Sequence, residues 1–100
     1  MRGLLTNLEE RKRVPLASGL MDFFPDALVE IARVSWMGSK QHHPDEEVHW
    51  DRCRSGDHGD ALMRHFMERR TRDGDGVRHT AKMAWRALAM LQLELEKEQG

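Results

Sequence analysis

Between Val77 and Glu98 the chain has neither glycine nor proline and is rich in alanine, leucine, methionine, glutamate and lysine, the residues with the strongest helix preference. Val77, Ala81, Ala84, Leu88, Leu91 and Leu95 form one continuous apolar stripe on such a helix. In a chain of 100 residues a helix this long leaves room for one domain. No segment alternates apolar and polar residues as a half-buried strand would. The expected fold is all-α: a small three-helix bundle with a long His-rich connection between its first and second helices. The stripe is expected to end in a packed core, with Leu88 inside it.

The other elements follow from local signals. Residues 1–18 read as a flexible charged arm with at most a helical turn, since Glu9-Glu10-Arg11-Lys12-Arg13 is followed by Val14-Pro15. Residues 19–98 form the single domain. Pro25 and Asp26 suit a helix start, and Leu28, Ile31, Ala32 and Ser35 share a face. The first helix of the domain is therefore expected over about 25–37, with Gly38 as its stop. Phe23 and Phe24 are expected to pack on it as a staple. A second helix is expected over 57–70. Asp73-Gly74-Asp75-Gly76 is the strongest turn signal in the sequence and makes the flanking helices antiparallel. Trp36 and Trp85 are expected in the core, and Trp50 is expected to pin the long connection.

Composition excludes several functions. Sixteen Lys+Arg against seventeen Asp+Glu give a net charge of −1, which argues against a histone-like nucleic-acid binder. No apolar run is long enough to span a bilayer, and no apolar signal region follows Met1. The lone Cys53 cannot form an internal disulfide, which fits a reducing cytoplasm. With 39% hydrophobic residues the core is thin, so a homo-oligomer is expected.

The chemistry concentrates in the histidines and carboxylates. Asp57, Arg64, His65 and Glu68 share one side of the second helix, and His79 begins the third, two turns before Arg86. Across antiparallel helices His65 and His79 are expected to face one another. Such a groove can hold a divalent cation and place water against a phosphate, with cationic side chains on the phosphoryl oxygens. His65, His79 and Glu68 are the candidate catalytic residues. Lys40, Trp50, Arg64 and Arg86 are the candidates for substrate binding. Glu30, Asp57, His58 and Asp75 are the candidates for holding metal. His49, Cys53 and His58, with His42 and His43 upstream, have short ligand-like spacing, but no second cysteine pair completes a structural zinc site.

Phe24-Pro25-Asp26-Ala27-Leu28, Glu30-Ile31-Ala32-Arg33-Val34, Gly38 with Lys40, His49-Trp50, Asp57-His58, Arg64-His65, His79-Thr80-Ala81-Lys82 and Ala84-Trp85-Arg86-Ala87-Leu88 together resemble the N-terminal domain of dATP/dGTP diphosphohydrolases, common in phages and prophages. The resemblance covers about residues 16–97. It implies cleavage of purine deoxynucleoside triphosphates to monophosphate and pyrophosphate. It also implies a divalent metal, magnesium by analogy with the all-α MazG-like pyrophosphohydrolases. The MazG-like pattern itself is absent: Glu30 stands alone where Glu-Glu-x-x-Glu would be, and no Glu-x-x-Asp follows. Two other functions compete with a hydrolase. One is a non-catalytic module that binds a nucleotide or a protein. The other is a nucleic-acid binder using Arg52, Arg54, Arg64, Arg69, Arg70 and Arg72, which the net charge disfavours.

Overall fold

The computed structural model describes residues 7–54 and 56–100, so the first six residues of the expected arm lie outside the described residues. Helix α1 (Leu8–Lys12) is a short exposed turn whose Asn7 side chain accepts from the Glu9 and Glu10 N–H groups. Acids in its first turn and bases in its last suit the helix dipole. A five-residue π-helical turn, Ala17–Met21, follows. A Cβ at Gly19 would come within 2.8 Å of the Pro15 ring, so only glycine fits this turn without displacing the proline.

Three longer helices make the body: α2 (Pro25–His42), α3 (His58–Met67) and α4 (His79–Gln99). No strand occurs among the described residues. A single antiparallel bridge between Arg72 and Arg78 closes the Asp-Gly-Asp-Gly turn. There the Asp73 N–H donates to Val77 O at 2.8 Å and the Gly76 N–H to Asp73 O at 2.9 Å. Gly76 supplies the left-handed backbone at φ +83° that the turn needs.

Helix α4 packs against both α3 and α2, whereas α2 and α3 do not pack on each other among the described residues. The bundle is therefore open, with α4 at its hinge. Its buried apolar residues are small: Ala61, Val77, Ala81 and Ala89. The alanines let the α3 and α4 backbones approach closely, and Trp85 Nε1–H donates to Ser35 Oγ at 2.8 Å, tying α4 to α2.

Five expectations need correcting, the first being the end of α3, which lies at Met67 and not at 70. Gly38 does not stop α2, which continues to His42. Glycine permits a stop but does not impose one, and the added turn buries Ser39. The stop comes from Pro44, which disfavours helical backbone in the residue before it: His43 has φ −139° and ψ 68°. Leu88, Leu91 and Leu95 are 49%, 52% and 43% exposed, because α4 runs on past the helices that cover its first half. Trp36 is half exposed, beside a recess it shares with Arg72 and Val77. Phe23 and Phe24 meet edge to face at 6.0 Å but stay exposed, so they pair with each other more than they staple the helix.

Candidate functional site

The gap between α2 and α3 is a cleft of about 420 Å³. Its floor is the stripe of α4 that carries Lys82, Trp85 and Arg86, and its rim is the irregular connection after His43. Two contacts fasten that connection. Arg52 donates from Nε and Nη2 to the two Glu96 carboxylate oxygens, both at 2.9 Å. Trp50 sets its ring edge-on to Trp85 at 5.7 Å beneath the Arg52 guanidinium. Trp50 thus pins the connection, as its sequence context suggested.

His65 and His79 face one another across α3 and α4, with Nδ1 to Nδ1 at 2.9 Å and ring centroids 5.1 Å apart. One Nδ1 carries the proton and the other accepts it. His79 is buried, and its Nε2 lies 3.7 Å from Glu68 Oε2 at the end of α3. Burial, and then the neighbouring His79 and Lys82, lowers the His65 pKa, which keeps the imidazole able to take up a proton.

Lys82 stands beside this pair. Its ammonium donates to Asp73 Oδ2 at 2.7 Å and to Asp75 Oδ2 at 2.8 Å. The Lys82 hydrogen bond, with the Gly74 N–H second, holds the Asp73 carboxyl down at about 2. Burial works to lower the Lys82 pKa, but the two aspartates outweigh it and the net shift is upward. Sequence reasoning passed over Lys82 as a site residue. Its signal was positional: His79, Lys82 and Arg86 recur at three and four residues and so share one face of α4.

Of the residues expected to bind substrate, Trp50 and Arg86 line the cleft. Arg86 Nη1 donates to His58 Nδ1 at 2.9 Å and lies 3.9 Å from Asp57 Oδ1. Lys40 donates instead to the Glu46 carbonyl, and Arg64 Nη2 donates to Asp57 Oδ2 at 3.1 Å. The four residues expected to hold metal do not form one cluster. His58 and Asp75 line the cleft, whereas Glu30 shares a second recess with Arg72 and Asp75 and sits 3.4 Å from Arg33. Among the described residues two trios of ligand-type side chains converge instead: His65, Asp73 and His79, and His43, Glu46 and His49. Cys53 is exposed and joins neither.

Residues 8–100 match the family described as dATP/dGTP diphosphohydrolase, N-terminal. The chain belongs to that family. No curated protein and no solved structure matches it. For this member of the dATP/dGTP diphosphohydrolase N-terminal family the matched span takes in all of α2, α3 and α4, the histidine pair and the Lys82 clamp. No helix of the described residues is long and apolar enough to cross a membrane.

Proposed function

We propose that the cleft binds a purine deoxynucleoside triphosphate, dATP or dGTP, and cleaves it to monophosphate and pyrophosphate. The observation that carries this reading is the face-to-face His65–His79 pair beside a cleft whose floor is cationic and aromatic, in a chain of this family. Trp50 and Trp85 offer flat apolar surface to the base. Arg86 meets the phosphate oxygens through a planar fork of donors, whereas Lys40 and Arg64 do not line the cleft and are engaged by Glu46 and Asp57. In the reaction a water oxygen bonds to the α-phosphorus, the bond from that phosphorus to the bridging oxygen breaks, and pyrophosphate leaves. His65 accepts the water's proton, and the bond to His79, itself next to Glu68, steadies the imidazolium that results.

The donors present do not fit a resident magnesium ion. Magnesium takes carboxylate, phosphate and water oxygens in an octahedral shell. Asp57, Asp73 and Asp75 already face lysine or arginine, and both convergent trios are two-thirds imidazole.

A second reading rests on the family's own description, which is of an N-terminal part: the chain binds the nucleotide while another segment cleaves it. One experiment addresses both. Purified protein is mixed with dATP or dGTP and divalent cations, with nucleotide binding and pyrophosphate release followed together. Release that disappears in His65→Ala and His79→Ala, with far-UV circular dichroism unchanged, supports catalysis. Binding without release supports the second reading. Affinity and release both unchanged in the two folded variants would remove the histidine pair from either role.

A further inference from the structure

We propose that the segment from His43 to His49 holds a divalent transition-metal ion through His43, Glu46 and His49. The three residues recur at even spacing in His43-Pro44-Asp45-Glu46-Glu47-Val48-His49. A ring nitrogen of each histidine and a carboxylate oxygen of Glu46 lie within 4.8 Å of one another, and the two imidazole centroids are 4.5 Å apart.

The segment is held in place before any ion arrives. The His43 N–H donates to Ser39 O at 2.7 Å, the His49 N–H to the Ser39 hydroxyl at 3.3 Å, and Lys40 to the Glu46 carbonyl. The His49 ring is also oriented as a metal-binding histidine is. His49 Nδ1 lies 3.0 Å from the Glu47 carbonyl, which must be accepting, so the His49 lone pair is on Nε2. His43 Nδ1 lies 2.7 Å from Glu46 Oε2. A carbonyl on one ring nitrogen leaves the other as the ligand, so His49 offers Nε2, whereas at His43 the ion would take the place of the proton between Nδ1 and Glu46.

The other trio is satisfied without an ion. His65 and His79 bond each other, and the Lys82 ammonium already neutralises Asp73. Glu46 has no lysine or arginine paired with its carboxylate among the described ion pairs, and Asp45 and Glu47 beside it add negative charge. Two imidazoles and a carboxylate suit zinc, cobalt or nickel better than magnesium, and three protein ligands leave a position open. His43 and His49 both line the cleft, so the ion would sit in its wall. The proposal stands whether or not the cleft turns over nucleotide.

Metal-free full-length protein is titrated with Co²⁺ alone, read by its visible d–d absorption, and with Zn²⁺ alone, read by calorimetry. One equivalent is expected to bind. His49→Ala and Glu46→Gln, both on the exposed connection, are expected to weaken binding about tenfold or more, while His65→Ala leaves it within about twofold. Absence of uptake by the wild type overturns the proposal. So does uptake unchanged in His49→Ala, or uptake lost in His65→Ala while His49→Ala retains it.

Discussion

Lys82 joins Asp73 and Asp75 through two charge-assisted hydrogen bonds while its own side chain is only 18% exposed. Its truncation leaves two aspartates facing each other in the turn that sets the spacing of α3 and α4. Lys82→Ala is expected to cost about 1–2 kcal/mol in urea unfolding, a charged-bond value reduced because Asp73 is partly in solvent. His58 gives a pH dependence whose sign is fixed by its partners. Burial first, and Arg86 second, lowers its pKa against the opposing pull of Asp57, and Arg86 needs His58 Nδ1 as an acceptor. The unfolded imidazole titrates near 6.5, roughly the ordinary histidine value. Below that pH the unfolded chain binds the proton more readily, so stability present at neutral pH is lost as the pH falls through 6.5 towards the folded value. His58→Asn keeps a side-chain acceptor without titrating. Its urea midpoint is expected to fall less between pH 7.5 and 5.5 than that of the wild type, and parallel profiles would contradict this account.

At the scale of elements, the α3–α4 contact depends on side chains too small to hold the helices apart. Ala81 is buried, so Ala81→Leu is expected to cost about 1–3 kcal/mol through overpacking, seen as a lower thermal midpoint. Just beyond the end of α3 at Met67, Arg70 has φ +73°, a left-handed backbone costly for a side chain. Arg70→Gly is expected to gain about 0.5–1 kcal/mol after the glycine's extra freedom in the unfolded chain is counted. Much of this level was legible in the sequence. The Gly- and Pro-free run marked α4, Pro25-Asp26 marked the start of α2, and the Asp-Gly-Asp-Gly turn required the antiparallel register that sets His65 against His79. That α3 ends at Met67 rather than 70 was not visible, because nothing in Glu68-Arg69-Arg70 signals that the backbone leaves the helix there. Nor was the exposure of Leu88. A helical stripe shows which residues share a side but not how far a neighbouring helix covers them. Lys82 was hidden for a related reason, since its partners lie across a turn and only the folded chain brings them within reach.

For the whole molecule, the accessible surface is 7994 Å², against about 5,900 Å² for a compact chain of this mass. The radius of gyration is 15.2 Å, where a compact domain of this length has about 13 Å. Leu88, Leu91 and Leu95 lie along one exposed side of α4. The protein is expected to be at least a dimer at tens of micromolar in sedimentation, and Leu91→Lys is expected to shift it towards the monomer. A wild type that sediments at 11.7 kDa would count against that assembly. The open arrangement of the helices bears on what can enter. Since α2 and α3 meet only through α4 and the connection over 43–57, the aperture has no interlocked contact to break when it narrows or widens. Its width is set by the length of that strap and by its moorings at Ser39 and Glu96. Shortening a flexible strap changes closure entropy by only about a kilocalorie. The size of ligand admitted can therefore drift between related chains by insertion and deletion alone, with every helix left as it is.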